Sequence, residues 1–528
     1  MKILLLYWHT IRYLKPVQFV FLLLHPVRIG FWNFFRPVPR SMESLRIRTE
    51  LSFPYAFIHA HYASPLQFTL LNRSKRFPDR VDWRFDAYGK LWNYQLQYLD
   101  VLLDERIPPE ERMDMLRDFS KELVLRRYPM EPYPLSLRLI HTLVFLSQHP
   151  QRELVVDQAI RMQLYFLESN RELHLQANHL LENEIALSFC YSILNEKDAL
   201  RYQFKRLGEQ LKEQILADGA HYERTITYHN LILYRLLLLV RSLEQFAGFE
   251  KESLHLKAVC GNMLSWSRQM AVDGQNFPCF NDAVPLHTPG LDALLQWAAY
   301  EKIEVSKLPL GASGFRKLNN AKASLWINCG NITPSYQPGH AHADQLHFML
   351  YIGGRAVLTD PGVSSYECGP VRDLERSTRM HNTVCCGEQN QSELWAAFRM
   401  GRRAKVQILE ASGSSLTAET IWYQGYKHLR KFNLLEDKLV IEDSFVILNP
   451  KFVEPEAQFH FEPGIGLIPD QEDSDQWNAN GWTIRFKGHK GMEWKKYEKA
   501  LHFNHLAKAE KLCVPFDGHL ITEICWGQ

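Results

Sequence analysis

The hydrophobic pattern of this 528-residue chain changes its period near Lys307, and that change restricts the fold more than any other feature. From about residue 85 to 305, apolar residues recur at spacings of three and four, which predicts helices. The predicted helices cover residues 91–103, 136–148, 153–170, 179–194, 228–246 and 254–271. Short polar breaks separate them, so neighbouring helices run antiparallel. Such pairs can stack as a solenoid or close into a toroid, and the pattern does not choose between them.

Beyond residue 307 the pattern becomes that of strands. A loop is predicted at PLGASG (309–314), and the strands that follow are predicted at residues 323–329, 347–360, 404–412, 416–423, 432–447 and 481–488. Gly353-Gly354 and Glu436-Asp437-Lys438 occupy the positions expected for hairpin turns. Since no βαβ pattern occurs, the second half is predicted to be an antiparallel sandwich or a stack of antiparallel sheets.

The fold class is therefore α+β with more than one domain, because a chain of this length is too long for one ordinary core. We assign residues 1–308 to a helical domain, in which residues 1–84 form an N-terminal helical extension. Residues 309–528 are assigned to an antiparallel β-sheet domain.

The first 27 residues are apolar but interrupted. Trp8, His9 and Arg12 break the first apolar run, and the second run, residues 19–24, is far shorter than the ~18 residues of a membrane helix. No small-residue cleavage site follows. This segment is predicted to be an amphipathic helix of the mature protein, with a signal peptide as the alternative. We therefore expect no membrane span and a cytoplasmic location, with the periplasm as the alternative.

Charge and cysteine content narrow the class of partner. The net charge of +2 argues against a protein that binds nucleic acid through bulk positive charge, although a locally basic cleft for an acidic polymer stays compatible with it. The nine cysteines include no CxxC pair, so neither a disulfide framework nor a cysteine-ligated zinc site is expected. A reducing compartment fits this pattern best.

The densest polar cluster is GHAHADQLHF, residues 339–348. If this stretch is extended, His340, His342 and Asp344 project from one face of a strand. Asp360 and His381 follow downstream. Imidazole and carboxylate groups are suitable ligands for zinc or another divalent metal. The alternative is a loop of surface histidines. It is the weaker interpretation, because three histidines and two aspartates occur together in this pattern.

Two further clusters lie at predicted helix starts. Asn178 and His179 precede an apolar run, at a helix end that favours anions, although Asn178 can also be read as an ordinary N-cap. Tyr228 and His229 open a long apolar helix, where Tyr228 is either a cleft residue or a core aromatic. Neither cluster by itself decides between the two readings.

Weaker candidates could bind a carboxylate or sulfate of a substrate. They are Tyr133 and Arg138 at another helix entry, Asn281 in CFND, and Arg399 in FRMGRRA. The guanidinium group binds carboxylate and sulfate with two parallel hydrogen bonds. A solvated surface position is the ordinary reading for each of them.

With these residues in view, the chain resembles the heparinase II/III-like superfamily of polysaccharide lyases. The resemblance runs from TIRYLKPVQ near the start through LWNYQLQYLD, EPYPLSLR, ANHLLEN and DGAHYERTITYH to GHAHADQLHF, DPGVSSYE and the HNTV segment. It implies an incomplete α/α toroid followed by stacked antiparallel sheets, with the substrate cleft between them.

The resemblance also implies roles. Asn178 with His179 matches the group that neutralises a uronate carboxylate, Tyr228 the catalytic tyrosine, and His340 its histidine partner. A further set, His342, Asp360 and His381, matches the superfamily's metal site, where zinc or calcium is usually structural. Two departures, TITYH around the tyrosine and His141 where asparagine is frequent, leave the reaction class intact but the substrate open.

The expected reaction is β-elimination on an acidic, uronate-containing glycan, and two alternatives remain open at this point. A glycoside hydrolase would need two carboxylates astride the scissile bond, and its candidates are Glu131, Glu182, Glu184, Glu223 and Asp282. A non-catalytic protein would bind an acidic polysaccharide without turnover.

The sequence leaves open whether the polymer is a heparan-type glycosaminoglycan, an alginate-like uronan or a bacterial surface polysaccharide. It also leaves open endo or exo action and the oligomeric state.

Overall fold

A computed structural model describes residues 2–35, 45–49, 51–125, 128–150, 153–244, 246–448, 453–479 and 481–526 of the chain. Its helices are α1 (Lys2–Ile11), α2 (Pro16–Phe35), α3 (Lys90–Gln97), α4 (Pro109–Val124), α5 (Pro132–Gln148), α6 (Leu154–Ser169), α7 (Ala177–Ile193), α8 (Lys197–Gln214), α9 (Ile226–Leu243), α10 (Glu250–Met270), α11 (Leu291–Tyr300) and α12 (Pro370–Glu375).

In the helical half, several helices that follow one another along the chain pack against each other. Helices α5, α7 and α9 lie side by side, are apolar on almost every face and are buried over nearly their whole length. Helix α8 packs on α7 and buries only a stripe that includes Leu200, Leu207 and Leu211, as the spacing of an amphipathic helix requires. The predicted helices are confirmed, and α4, α8 and α11 are additional to them.

The second half is antiparallel sheet, as predicted. Strands β4 to β7 form a four-stranded sheet, and a larger sheet of eleven strands is built around the long β20. Gly353 and Gly354 both have positive φ and form the two-residue turn between β6 and β7, as the sequence predicted. Strand β13 alternates buried and half-buried residues along its length, which is the pattern of a strand covered on one face.

The strand bounds are β1 (His61–Ala63), β2 (Gln67–Leu70), β3 (Arg73–Arg76), β4 (Phe315–Asn319), β5 (Ala323–Asn328), β6 (Phe348–Ile352), β7 (Arg355–Leu358), β8 (Val384–Cys386), β9 (Leu394–Trp395), β10 (Arg399–Met400), β11 (Lys405–Ala411), β12 (Ser415–Ile421), β13 (Tyr426–Leu434), β14 (Lys438–Ile447), β15 (Pro455–His460), β16 (Ile468–Pro469), β17 (Gln476–Ala479), β18 (Trp482–His489), β19 (Glu493–His502) and β20 (His505–Trp526).

The N-terminal 84 residues are not wholly helical, and that part of the prediction is wrong. After α1 and α2, strands β1 to β3 form a small antiparallel sheet between residues 61 and 76. By length and composition α2 is also apolar enough to cross a membrane, a property it shares with signal sequences and with buried core helices. The expected lack of a membrane span therefore stays a prediction.

The two halves of the chain meet through a shared apolar cluster. Trp266 and Phe280 from the helical half pack with Phe315 and Trp326 of the four-stranded sheet. The last toroid helix ends at Tyr300 and β4 begins at residue 315, while the exact division at 308–309 stays a prediction.

The Asp218 carboxylate reinforces this junction. Its Oδ2 atom accepts hydrogen bonds from the Gly311 and Ser313 backbone N–H groups and from the Ser313 hydroxyl, at 3.1, 2.8 and 2.7 Å. Since Asp218 is buried, its removal would leave these donors without water or a partner.

We expect Asp218→Ala to lower the free energy of unfolding by about 2–4 kcal/mol, because three donors lose a charged acceptor. Urea titration followed by circular dichroism measures this. Asp198→Ala is the matched control, because Asp198 is fully exposed and pairs only with Arg201 on its own helix; its effect should stay within about 0.5 kcal/mol. Equal losses in both variants would contradict the role of Asp218.

Candidate active site

Asn178 and His179 lie in the first turn of α7, as predicted. The cap position is occupied by Gln176, which makes no side-chain capping bond, so Asn178 is not the N-cap of this helix. The Asn178 backbone N–H donates to Glu223 Oε1 at 3.2 Å. Among the described residues its side-chain amide makes no hydrogen bond, which leaves that amide available to a ligand.

His179 is half-buried and paired with a carboxylate. Its Nδ1 atom lies 3.0 Å from Glu172 Oε1, and its ring stands 4.5 Å from the ring of Tyr133. Burial by itself would lower the pKa of His179, but the Glu172 carboxylate outweighs burial and raises that pKa above its ordinary value. The pairing with Glu172 therefore favours the positively charged form of His179.

Tyr228 lies in the first turn of α9 and faces the β-domain. Its ring centroid is 4.1 Å from that of His340, and its hydroxyl donates to the Tyr366 hydroxyl at 3.4 Å. Burial raises the pKa of Tyr228 well above its ordinary value, and the Tyr366 phenol and nearby carboxylates raise it further. Tyr228 is consequently a neutral phenol at physiological pH, able to donate a proton but a poor base.

His340 is oriented by a carboxylate from the helical half. Its Nδ1 atom lies 2.8 Å from Asp282 Oδ2, in the loop between α10 and α11. When Nδ1–H donates to this carboxylate, Nε2 keeps its lone pair, which is the form a general base needs. Among the described residues Nε2 has no protein partner.

Asp282 is the centre of a buried network. Its two oxygens accept hydrogen bonds from both Arg372 Nη atoms, at 2.5 and 2.7 Å, and Oδ1 also lies 2.8 Å from His342 Nε2. Burial would raise the pKa of Asp282, but Arg372 and the two histidines reverse the effect and hold it well below its ordinary value. Asp282 is therefore a permanent anion between the two domains.

The segment 339–347 is not a strand, and the expectation of one shared face holds only in part. It consists of turns and irregular backbone, with Leu346 at a φ of 62°. His340 and His342 do converge, on Asp282. Asp344 instead accepts a 2.8 Å hydrogen bond from Asn328 Nδ2, away from both histidines.

A buried group of two histidines and one aspartate could hold a metal ion. Ligand atoms of His347, Asp360 and His381 lie within 4.8 Å of one another. This group contains Asp360 and His381, as predicted, but has His347 where the prediction has His342. The ring centroids of His342 and His347 lie at similar distances from that of His381, 5.3 and 5.2 Å.

The hydrogen bonds show which ring nitrogens have a free lone pair. His347 Nδ1 accepts the Asn382 backbone N–H at 2.9 Å, so in the neutral ring Nε2 carries the proton and points to Asp360 Oδ2, 3.1 Å away. Within the described residues, His342 Nδ1 and His381 Nε2 are buried without a hydrogen-bond partner, as is His347 Nε2. The other nitrogens of His342 and His381, however, face the Asp282 and Asp360 carboxylates, so in the neutral rings these two unpartnered nitrogens keep the lone pair. A carboxylate behind each histidine is the usual support for a metal ligand.

Three of the predicted substrate-binding residues are internal, and those assignments are wrong. Arg138 is fully buried, donates to Gln163 Oε1 at 2.6 Å, and has its pKa lowered to about 9 by burial. His229 is buried with both nitrogens bonded to backbone groups, and burial lowers its pKa to about 3. Asn281 is also buried, where its amide donates to the Arg224 carbonyl at 2.9 Å.

The other two predicted binding residues stay predictions. Tyr133 is half-buried beside His179, within the site. Arg399 is exposed, with its guanidinium 5.3 Å from the centre of the Trp395 ring. It neighbours Phe398, whose ring lies 6.3 Å from His340.

Sequence reasoning missed the partners that support the site. Glu172 orients His179, Tyr366 contacts Tyr228, and Arg372 fixes Asp282. Nothing in their local sequence distinguishes them from ordinary polar residues, because each acts on a side chain far away along the chain.

The chain matches two successive models of one protein family. Residues 157–300 match the model described as Heparinase II/III N-terminus, and residues 306–527 match the one described as Heparinase II/III-like, C-terminal. A comparison with curated protein sequences found no match.

Solved structures share the fold at low identity. A heparinase III structure has a TM-score of 0.67 at 15% identity, over 85% of this chain and 80% of that chain. The heparinase III gene product BT4657 with methylated lysines has a TM-score of 0.62 at 15% identity, over 95% and 88%. The heparan sulfate lyase HepC from Pedobacter heparinus has a TM-score of 0.58 at 16% identity, over 89% and 82%. The predicted fold class, a toroid followed by antiparallel sheets, is confirmed.

We expect Asp282→Asn to lower the free energy of unfolding by about 3–5 kcal/mol, because Arg372 would be left buried without its anion. Asp373→Asn is the matched control, since Asp373 is exposed one residue beyond Arg372 and its loss should cost less than about 0.5 kcal/mol. Urea denaturation of both variants makes the measurement. A stability equal to the parent's in Asp282→Asn would contradict the network.

Proposed function

Because this chain belongs to the heparinase II/III-like superfamily of polysaccharide lyases, we propose that it cleaves an acidic, uronate-containing polysaccharide by β-elimination. One observation carries the proposal: the neutral phenol of Tyr228 lies against His340, whose Nδ1 atom is held by Asp282. A proton donor and a proton acceptor are thereby placed side by side, at the junction of the two domains.

The first requirement of the reaction is to stabilise charge on the uronate carboxylate. The proton at C5 is barely acidic while that carboxylate is fully negative. The free amide of Asn178 and the positively charged form of His179 would bind the carboxylate and stabilise the charge that develops on it. Tyr133, next to His179, offers an aromatic face to the same sugar.

Proton transfer then divides between two residues. His340 Nε2 takes the C5 proton, the electron pair forms the C4–C5 double bond, and the C4–O4 bond breaks. Tyr228 gives its hydroxyl proton to the departing O4. The raised pKa of Tyr228 favours this assignment over one in which the phenolate is the base, which the sequence left open.

The environments of the carboxylates argue against a hydrolase. Both oxygens of Asp282 are bonded to Arg372 and the histidines, and buried Glu182 lies 3.3 Å from Arg235. Glu131 bonds Lys90 and the Tyr94 hydroxyl, and Glu184 bonds Gln203. Within the described part of the chain, Glu182 and Glu223 each keep one buried oxygen without a hydrogen-bond partner. Among the five candidates, however, only Glu223 lacks a described lysine or arginine within ion-pair distance, whereas a hydrolase needs two carboxylates that are free to act.

We further propose that a divalent cation, zinc rather than calcium, binds to His342 Nδ1 and His381 Nε2, while Asp360 supports this site from the other ring nitrogen of His381. The two free imidazole lone pairs favour zinc, because calcium takes oxygen ligands. When bound, the ion would supply structural support by linking the segment that carries His340 to the 378–383 segment. The protein's own residues carry the proton transfers.

The substrate class and location also remain proposals. A glycosaminoglycan, a uronan or a bacterial surface polysaccharide would each satisfy the site. All nine cysteines, which lie in the described part of the chain, are unpaired, and this supports a reducing compartment such as the cytoplasm.

Tyr228→Phe should reduce kcat at least 100-fold and leave KM within about threefold, because it removes the proton donor but keeps the ring. The assay follows the ultraviolet absorbance of the unsaturated uronate end during digestion of a panel of uronate polymers. Tyr300→Phe is the control, since Tyr300 is exposed and outside the site, and should match the parent. Near-normal turnover by Tyr228→Phe would remove its role, and no absorbing product from any polymer would refute the lyase.

The rate should fall at high pH as His179 loses its proton, at a pH above the ordinary histidine value because Glu172 raises that pKa. Glu172→Gln removes the raising carboxylate, so the alkaline limb of the kcat/KM profile should move to lower pH. Glu213→Gln, at a carboxylate outside the site, should leave the limb in place. An unchanged limb in Glu172→Gln would exclude His179 as the titrating group.

Metal analysis of purified, folded variants distinguishes the two ligand sets. His342→Gln should lower the bound zinc at least tenfold, whereas His347→Gln should retain most of it, because His347 Nε2 carries a proton in the neutral ring. Chelation of the parent should lower its melting temperature. Zinc loss confined to His347→Gln would reverse the assignment, and a parent without metal would refute the site.

A further inference from the structure

The exposed apolar surface of this protein is concentrated at its N-terminus. Of 32 large hydrophobic residues that are exposed in the described part of the chain, 15 belong to α1 and α2. Three of them, Leu4, Leu23 and Val27, are exposed by 74%, 69% and 70%. Isolated apolar residues on a surface are ordinary, but a contiguous group of this size marks an interaction surface.

The opposite side of these helices is fixed to the body of the protein. Thr10 of α1 accepts a 3.0 Å hydrogen bond from the Trp395 indole, and the Tyr7 ring packs edge-on against the same side chain. At the start of α2, buried Gln18 donates to the carbonyl of His174.

The far end of α2 is fixed as well. Trp32 is buried against the rings of Tyr165 and Phe166, and the Met130 N–H donates to Asn33 Oδ1 at 3.3 Å. Because both ends of α2 contact the body, the helix lies along its surface. In this packed arrangement the helix would lie flat on a bilayer rather than cross it.

The charge of the segment identifies the kind of surface that it fits. Residues 1–42 contain six lysine and arginine residues and no aspartate or glutamate. Lys15 is paired with Glu213, whereas Arg12 is exposed at the end of α1. A helix with exposed Leu, Phe and Trp side chains and only basic charges is typical of segments that bind anionic lipid headgroups at a membrane interface.

We propose that the outer face of α1 and α2 binds the surface of a bilayer that contains anionic lipids. The apolar side chains enter the headgroup boundary while the basic residues contact lipid phosphates. The contact through Trp395, near Arg399 and Phe398, would hold the β-domain side of the cleft close to the membrane. This inference does not depend on the reaction that the cleft performs.

The test is flotation of the full chain with vesicles of phosphatidylcholine and phosphatidylglycerol, and with pure phosphatidylcholine vesicles. The parent should bind the anionic vesicles and release them as salt rises. The triple variant Leu4→Gln, Leu23→Gln, Val27→Gln should bind at least tenfold more weakly, because each side chain loses its transfer from water. These residues are too exposed for their loss to affect folding.

A matched control variant replaces the same number of exposed apolar residues, three, outside α1 and α2. Leu125→Gln, Leu254→Gln and Ile468→Gln change residues exposed by 69%, 71% and 68% elsewhere on the body, and binding should equal the parent's. Intact mass verifies that residues 1–35 are present in each preparation.

Four outcomes would overturn the proposal. The parent could fail to float with anionic vesicles, or bind neutral vesicles equally well. A parent dimer in sedimentation velocity that the triple variant abolishes would assign the face to a second copy of the chain. Retention of bound protein after alkaline carbonate extraction would assign α2 to a membrane span.

Discussion

The buried carboxylate of Asp282 is the interaction on which the site depends. It comes from the helical half, yet its partners all belong to the β-domain: Arg372 lies in α12, and His340 and His342 lie in the irregular segment before β6. An ion pair of this kind costs several kcal/mol of desolvation and stabilises only when its geometry is nearly complete. The same four hydrogen bonds therefore join the domains, orient the base and connect it to the candidate metal site.

The neighbours of each side chain, more than its residue type, decide whether it donates or accepts a proton in this site. Tyr228 is kept neutral because burial, the Tyr366 phenol and nearby carboxylates disfavour a phenolate. The cationic form of His179 is favoured because the Glu172 carboxylate lies against its ring and raises its pKa. His340 points one nitrogen at an anion and leaves the other free. These surroundings suit the three side chains to serve as acid, charge stabiliser and base in one site.

The N-terminal helices connect this site to the outside of the molecule. α1 contacts Trp395 of the β-domain, and α2 contacts the 171–176 segment that carries Glu172 and leads into α7. They therefore contact both halves of the molecule, whose junction holds the candidate site. A large apolar surface is costly to leave in water, so its position on this side of the molecule associates the cleft with whatever covers the helices.

Much of this architecture follows from the sequence alone, because the period of hydrophobic residues depends on local backbone geometry. The hydrophobic pattern predicted the order of helices and strands and placed Asn178 and Tyr228 at helix starts. The glycine pair predicted the hairpin at Gly353-Gly354. Only the tertiary structure decided partnerships. Asp282 and Arg372 are 90 residues apart and Tyr228 and Tyr366 are 138 apart, so no local pattern records their contact. For the same reason the sequence did not show that Arg138 and His229 are internal, although their side chains are of types that often bind ligands. Burial is a property of packed elements, and a helix start alone does not reveal which of its side chains faces the cleft.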